Sequence, residues 1–257
     1  MNKRKVQILQ LINEHQFLSV TNLSECMGVS EVTIRKDLQA LDQAGLIIRK
    51  HGGASALLQG VEPFATRQSI ERDEKYWLAK CATDRTTGAE SLLIDAGTTP
   101  LRVAELLKER KLTVVTNSLP VACELVDSPG TVHMTGGMIF GENMCLVGPE
   151  AEEYISKIRV DCLILGASGV KLDQGPMTSS SLEANVKRKM IEAADEVILV
   201  MDHSKLTEGG LITFASFQDI DVLITSVKAP PAAVEQIRSH GVEVLTAELG
   251  TAEEFAE

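Results

Sequence analysis

Two hydrophobic rhythms follow one another along the chain. Up to about position 45 the apolar residues recur at three- and four-residue intervals, the period of helices. From position 91 they gather into short, nearly continuous runs separated by helical stretches. In the first part, Val6, Ile8, Leu9, Leu11 and Ile12 predict an amphipathic helix. Residues 22–27 predict a short second helix with Thr21 as N-cap, which Gly28 ends as a left-handed residue. Ser30 caps a third helix that reaches about Ala44 and is closed by Gly45. A helix, a tight turn containing glycine and a second helix make up a helix-turn-helix. Residues 46–53 then predict a β-hairpin with Gly52 and Gly53 near its tip.

The third helix divides by face. Ile34, Leu38 and Leu41, at i, i+4 and i+7, form a narrow stripe that must pack inward. The opposite side presents Val32, Thr33, Lys36 and Gln39, flanked by Arg35. Arginine and lysine suit guanine edges or phosphates, while threonine and valine suit thymine methyls. Arg49, Lys50 and His51 sit where a wing would lie along a phosphate backbone. The hydroxyls of Thr21 and Ser30, at the two helix starts, complete the set expected to face DNA.

Charge supports this division of labour. The whole chain carries −11, but residues 1–56 hold seven Lys or Arg against five acids, leaving −13 on the remainder. A basic head on an acidic body suits a protein that touches DNA through one module and repels phosphates elsewhere. The residues of the head, Val20-Thr21-x-Leu23-Ser24, Val29-Ser30-x-x-Thr33-Ile34-Arg35-Lys36-Asp37-Leu38 and Arg49-x-His51-Gly52-Gly53-Ala54, resemble the signature of DeoR-type transcription repressors. The resemblance implies a winged helix-turn-helix that binds operator DNA as a dimer or higher oligomer.

Residues 57–68 lack periodicity and contain Gly60 and Pro63, which predicts a domain boundary. The expected organisation is a DNA-binding domain over 1–57, a linker over 58–68, and a sensing and oligomerisation domain over 69–257. Residues 69–82 read as a helix, with Tyr76 and Trp77 as candidate subunit contacts in a homodimer or homotetramer. Apolar runs at 92–95, 112–116, 131–135, 161–166, 197–201, 222–225 and 242–245 read as strands, several apolar throughout, as burial on both faces requires. Alternation with helices predicts an α/β domain with a mostly parallel, doubly wound sheet.

Ligands of such sheets gather at the carboxyl ends of the strands. There the chain places Asp95, Gly97, Thr98 and Thr99, with Pro100 suited to a first helical turn. Gly97 admits close backbone approach, and the free N–H groups of a helix start attract an anion. Asn117 and Ser118, Gly136 and Gly137, Ser168, Glu183 and Lys187, and Asp202 and Lys205 would converge on the same edge. Hydroxyls, glycines, carboxylates and a lysine suit a polyol bearing a phosphate. These positions extend the DeoR-type resemblance over the rest of the chain. It implies a sensor domain similar in fold to ribose-5-phosphate isomerases and coenzyme A transferases, responsive to sugar phosphates. Ser168, Leu206 and Ser226 depart from the family pattern, where Asp, Phe and Asp are frequent, and this bears on which effector is bound.

The alternative reading is a phosphosugar isomerase with a regulatory head, in which Glu183 and Lys205 supply general base and electrostatic stabilisation. Ser168 weakens it by removing a carboxylate. A protein-binding adaptor is disfavoured by the wing cations. Nothing calls for a cofactor or metal: the five cysteines form no C-x-x-C pair, and His15 and His133 lack ligand spacing. His203 lies beside the candidate site with no assigned role. No apolar run reaches the ~20 residues of a membrane span, and no signal-peptide core follows the basic start, so a cytoplasmic protein without membrane partner is expected.

Overall fold

The computed structural model describes residues 3–15, 17–43, 47–50, 52–56, 64–207 and 209–250. It divides into two compact units, Met1–Pro63 and Phe64–Glu257.

In the first unit, α1 (Lys3–His15) is followed by a short strand, β1 (Phe17–Ser19), and then by α2 (Val20–Met27) and α3 (Glu31–Gln43). The hairpin β2 (Ile47–Lys50) and β3 (Gly53–Ala56) pairs with β1 in the order β1-β3-β2, all antiparallel. The strand β1 was not expected. Its partner demands glycine at position 53, where a Cβ would stand 2.3 Å from the Leu18 carbonyl oxygen. Ile8, Ile12, Val20, Leu23, Ile34, Leu38, Leu41, Ile47 and Ala54 form the core, so the stripe on α3 packs inward as expected. Two expectations need correction. Val6, counted with the inward face of α1, is exposed. Thr21 does not cap α2; Ser19 does, its Oγ accepting the Asn22 N–H at 3.1 Å, because the helix begins two residues earlier, at Val20. Gly28 ends α2 with φ 63° and ψ 30°.

The second unit opens with α4 (Phe64–Ser69) and α5 (Arg72–Arg85). Residues 64–68, expected as linker, are therefore helical, and the single helix expected over 69–82 is two helices. The break falls at Glu71, which takes a left-handed backbone at φ 49°. Then follow β4 (Ser91–Ile94), α6 (Thr98–Leu107), β5 (Thr113–Thr116), α7 (Leu119–Leu125) and β6 (Thr131–Met134). The hairpin β7 (Met138–Phe140) and β8 (Cys145–Val147) leads into α8 (Pro149–Ser156) and β9 (Val160–Leu165). A second hairpin, β10 (Gly169–Lys171) and β11 (Gly175–Thr178), precedes α9 (Ser181–Glu192) and β12 (Ala194–Val200). The chain continues through β13 (Ile212–Thr213), β14 (Val222–Ser226), α10 (Pro231–Ser239) and β15 (Glu243–Ala247).

All seven expected runs become strands of one sheet, in the order β15-β14-β12-β9-β4-β5-β6, every pair parallel. Alternate residues feed two cores. Leu92, Ile94, Val114, Ile164, Ile198 and Ile224 pack with residues of α5, α6 and α7. Leu93, Val115, Leu163, Leu199 and Leu223 pack with residues of α8, α9 and α10 on the other face. The chain starts at β4, winds out to β6, and returns to the far side of β4 at β9. That reversal opens the crevice where doubly wound sheets bind ligands.

Gly53→Ala is expected to destabilise the first unit by about 1–3 kcal/mol, since the added methyl meets backbone. A chemical denaturation curve of the variant, together with hydrogen exchange of the β1 and β3 amides, checks this.

Candidate DNA interface and ligand site

On α3, Val32, Arg35, Lys36 and Gln39 are exposed and Thr33 is half-buried. Val32 retains 63% of its accessible surface, an apolar side chain left in water on the face opposite the core stripe. Ser30 Oγ accepts the Thr33 N–H at 3.4 Å and shares a hydrogen bond with Thr33 Oγ1 at 3.0 Å. Glu31 connects the two helices of the motif: Thr21 Oγ1 and Arg35 Nη2 both donate to its carboxylate, at 2.9 and 3.0 Å. These bonds hold its carboxyl below the ordinary range, Thr21 contributing first. Arg4 on α1 pairs at 2.6 Å with Asp37, which α3 buries. Arg49 and Lys50 are the last two residues of β2. His51 lies outside the described residues, as do the side chains of Arg49 and Lys50.

At the carboxyl end of the large sheet, the reversal point is occupied by charge. Asp95 follows β4, Gly166 follows β9, and Lys187 reaches them from α9. Lys187 Nζ pairs with Asp95 Oδ2 and donates to the Gly166 carbonyl at 3.0 Å; Gly166 N–H donates to the same Asp95 oxygen at 3.0 Å. The two side chains retain only 6% and 2% of their accessible surface. The Phe214 ring lies 5.4 Å from the ammonium.

Around this pair stand the other expected residues. Gly97 takes φ 149°, which L side chains rarely adopt, and starts α6 with Thr98 and Thr99 buried behind it. The first N–H groups of α6 have no acceptor within their own helix, and Pro100 contributes none. One strand over, Thr116 Oγ1 donates to the Ile94 carbonyl at 2.6 Å and accepts the Ser118 N–H at 3.0 Å. Ser118 Oγ in turn caps α7. Asn117 is buried and bonds Leu146 of β8 through its backbone oxygen and its Nδ2, while its Oδ1 has no hydrogen-bond partner. A buried acceptor left unpaired costs about 1–3 kcal/mol.

Glu183, one turn before Lys187 on α9, is held on every side. Thr178 and Ser179 hydroxyls donate to its Oε2 at 3.2 Å each, and Asn143 Nδ2 donates to Oε1. Cys145 lies among these groups. Burial first, then the carboxylates of Glu183 and Asp95, push its thiol up to about 12 against the pull of Lys187 and Arg67.

The remaining expected residues stand further off or serve other purposes. Gly137, at φ 111°, lets β8 approach, since a Cβ there would stand 2.6 Å from the Val147 carbonyl oxygen. Gly136 is exposed with open space beside it. Ser168 donates its N–H to Met177 at the start of the β10–β11 hairpin. Asp202 caps the short 3-10 turn His203–Leu206 that carries Lys205. These two follow β12, two strand positions from β4 and so about 10 Å across the sheet edge.

Several residues of this edge escaped the sequence analysis. Glu74 on α5 is buried; it accepts the His203 N–H at 2.8 Å, the Ser226 hydroxyl at 2.7 Å and a contact from His203 Nδ1 at 2.8 Å. Burial pushes its carboxyl up, but the His203 and Ser226 bonds outweigh burial and leave it below the ordinary range. This assigns His203 a structural role and gives Ser226 a partner. Neighbouring Lys75 is also buried, which pushes its ammonium down while Asp202 opposes. It donates to the carbonyls of Arg67 and Ile70 at 2.6 and 2.7 Å. The signal was available: Glu74 and Lys75 fall one turn before Leu78 and Ala79, which precede Ala82 on one inward stripe. Charges on such a stripe need buried partners. Glu71, Glu74 and His203 present ligand atoms within 4.8 Å of one another, but Lys228 already pairs with both carboxylates at 2.9 and 3.3 Å.

Lys187→Met is expected to destabilise the second unit by about 3–5 kcal/mol, because Asp95 would be left buried without its counter-charge. The double variant Lys187→Met, Asp95→Asn should recover most of that loss. A double-mutant cycle by denaturant unfolding measures it, and additive losses would contradict the coupling. Glu74, with its folded pKa depressed, contributes stability that is complete above its unfolded value of 4.5 and is lost as pH falls through the lower folded value. Unfolding free energies followed from pH 6 downward should therefore fall less steeply for Glu74→Gln than for the parent chain.

Comparison with known proteins follows the division into two units. Residues 4–59 match the DeoR-like helix-turn-helix domain and residues 70–227 match the DeoR C terminal sensor domain. The chain is 38% identical over 227 residues to the transcriptional repressor AccR of Agrobacterium fabrum, covering 86% of this chain and 88% of that protein. It is 32% identical over 240 residues to the glycerol-3-phosphate regulon repressor of Escherichia coli, covering 92% and 95%. Among solved structures, ribose 5-phosphate isomerase A from Methanocaldococcus jannaschii is 14% identical, with a TM-score of 0.40 over 53% of this chain and 55% of that one. None of the described helices is long and apolar enough to cross a membrane. A helix-turn-helix head and a sensor domain matched in one continuous chain, with full-length repressors at this level of identity, place the protein in the DeoR family of DNA-binding transcriptional regulators.

Proposed function

We propose that the protein represses a sugar or sugar-alcohol utilisation operon and that a phosphorylated polyol metabolite sets its affinity for operator DNA. The observation that carries the reading is the polar crevice at the sheet reversal. The start of α6 offers N–H groups with no side-chain cap and no acceptor in their own helix, and the buried Asn117 Oδ1 stands one strand away without a donor. The phosphate would lie against Gly97, Thr98 and Thr99, as anions do at helix starts. Hydroxyls would donate to Asn117 and exchange with the Ser118 and Glu183 bonds, while Lys205 and Asp202 close the far side. An apolar or purely cationic ligand would leave these groups unpaired. The name of the E. coli relative, a glycerol-3-phosphate regulon repressor, is consistent with a ligand of this class.

The DNA-facing set is Thr21, Ser30, Val32, Thr33, Arg35, Lys36 and Gln39 for base edges and nearby phosphates, with Arg49, Lys50 and His51 on the wing for the backbone. Binding of two half-sites requires at least a homodimer, for which α5, carrying the edge-to-face pair Tyr76 and Trp77, is the proposed contact. An isomerase would need Glu183 available as a base. Three donors hold that carboxylate, and the relatives are regulators.

The test is operator binding, on DNA selected from a random library by the protein itself, with and without sugar and polyol phosphates and their unphosphorylated parents. Only phosphorylated compounds should shift the affinity. Gly97→Val places a side chain where φ is 149° and a Cβ already meets Pro100 Cδ at 3.2 Å. It should abolish the shift while ligand-free operator affinity persists. A parental response in this variant, or an effector without an anionic group, would sink the phosphate assignment.

A further inference from the structure

A charged chain of hydrogen bonds runs from the candidate effector site to α4. Glu183 Oε1 accepts from Asn143 Nδ2; Asn143 Oδ1 accepts from Arg67 Nη2, which also donates to the Glu142 carbonyl at 3.0 Å. The amide of Asn143 is thereby oriented: its donor faces a carboxylate and its acceptor faces a guanidinium. Both ends are charge-assisted, which makes such bonds shorter and stronger than neutral ones. Arg67 is the fourth residue of α4, the first helix of the sensor unit, and the DNA-binding unit ends at Pro63. The covalent route from head to sensor therefore enters through α4.

Two further observations fall on the same path. Lys75, buried on α5, donates to the carbonyls of Arg67 and Ile70 and feels the charges of Asp202 and Lys205. So α4 is held by α5 through Lys75 as well as from the Glu183 side. The only non-glycine residues at positive φ among the described residues are Glu71, at 49°, and Met144, at 50°. Glu71 lies at the joint between α4 and α5, and Met144 is the neighbour of Asn143. Backbone strain of this kind costs about 1–3 kcal/mol per residue and collects at switch regions.

We infer that Arg67, Asn143 and Glu183 form the relay through which occupancy of the effector site repositions α4. The inference rests on the effector reading proposed above. A ligand hydroxyl that donates to Glu183 competes with Asn143 for Oε1; release of Asn143 frees Arg67, and the strained joints at Met144 and Glu71 provide the alternative backbone states. Arg67 and Asn143 act here as positioning residues, without touching the ligand.

The experiment uses the full chain with Arg67→Gln, Asn143→Leu and Asn143→Asp, the last keeping an acceptor for Arg67 while repelling Glu183. Probes are glycerol 3-phosphate, ribose 5-phosphate, fructose 6-phosphate and glucosamine 6-phosphate, each at millimolar concentration. The parent chain should change operator affinity about tenfold with one of them. Each variant should bind the operator without probe, and bind that probe in calorimetry, within about threefold of the parent, yet respond by less than about twofold. Hydrogen exchange of the α4 amides should change with probe in the parent and be insensitive to it in the variants. A retained response in all three variants overturns the relay and leaves the effector reading intact. Loss of probe binding itself in the variants also overturns it, since Arg67 and Asn143 would then be ligand contacts. Absence of response to every probe in the parent chain overturns the effector reading, and the relay falls with it.

Discussion

Lys187 and Asp95 are buried at the one place where the parallel sheet changes direction, and the geometry of the sensor unit depends on them. Strands β4 and β9 pair to their carboxyl ends, where Asp95 N–H still donates to the Ile164 carbonyl at 2.9 Å and Gly166 follows beside it. The peptide group of Gly166 is satisfied on both sides, its N–H by Asp95 and its carbonyl by Lys187, while the two side chains neutralise each other. Burying either charge alone would cost several kcal/mol, so both must be present and hydrogen-bonded. Because Lys187 belongs to α9, the pair also sets the rotation of that helix. Glu183, four residues earlier, shares its face and is thereby aimed at Asn143, Thr178 and Ser179. The charge pair thus keeps a polar crevice in place inside a sheet whose strands are otherwise apolar.

The head follows a different electrostatic logic. Among its described cations, Arg35 and Lys36 are exposed on α3, and the acidic remainder of the chain, at −13, is unfavourable for phosphates. Even on the exposed face of α3, Arg35 is already engaged by Glu31, which also holds Thr21. An exposed i,i+4 pair of this kind is worth only a few tenths of a kcal/mol, so a phosphate or a guanine edge can displace Glu31 readily. The pair keeps the arginine extended along the helix without committing it. In the proposed DNA-facing arrangement, the exposed apolar surface of Val32 would gain by burial against a thymine methyl in a way that a polar residue would not.

What the sequence reveals here follows from where the physical information is local. The parallel strands could be read because the inner ones are runs rich in Val, Ile and Leu buried on both faces, while the partly exposed edge strands β6 and β15 still carry Val or Leu at short spacing. The α3 stripe could be read because three leucine-sized residues recur at helical spacing. The three-residue strand β1 and the short hairpin strands β7, β8, β10 and β11 are too brief to show alternation, and β13 owes its existence to pairing with the distant β11. The cap of α2 was misplaced by two residues because Ser19 and Thr21 are equally good cap residues; Glu31, ten positions on, claims the Thr21 hydroxyl. Periodicity passes smoothly through residues 69–82 and cannot register one left-handed residue at Glu71. At the crevice, Asp95, Asn117, Glu183 and Lys187 were legible from their place after strands or at a helix start. Arg67 and Asn143 were not, since they meet across 76 residues and Asn143 meets Glu183 across 40; for Glu74 and Lys75 the inward stripe of α5 marked the burial but not the partners.

Magnitudes explain why so modest a connection suffices between a ligand and a helix at the entrance of the sensor. Regulation requires a differential binding energy of about 1–3 kcal/mol between two states of the protein. A hydrogen bond to a charged group contributes about 1.5–3 kcal/mol, so exchanging one such bond at Glu183 spans the required range. The remaining condition is that the two states lie close in energy, since a deep single minimum would absorb the exchange without moving. Strain at Glu71 and Met144 raises the observed state toward its alternative, while Lys75 holds α4 in the observed one through the Arg67 and Ile70 carbonyls. The rigid charge pair beneath, Lys187 with Asp95, holds the crevice floor fixed during that movement. A ligand can then be read by displacement of one side chain instead of by deformation of the sheet.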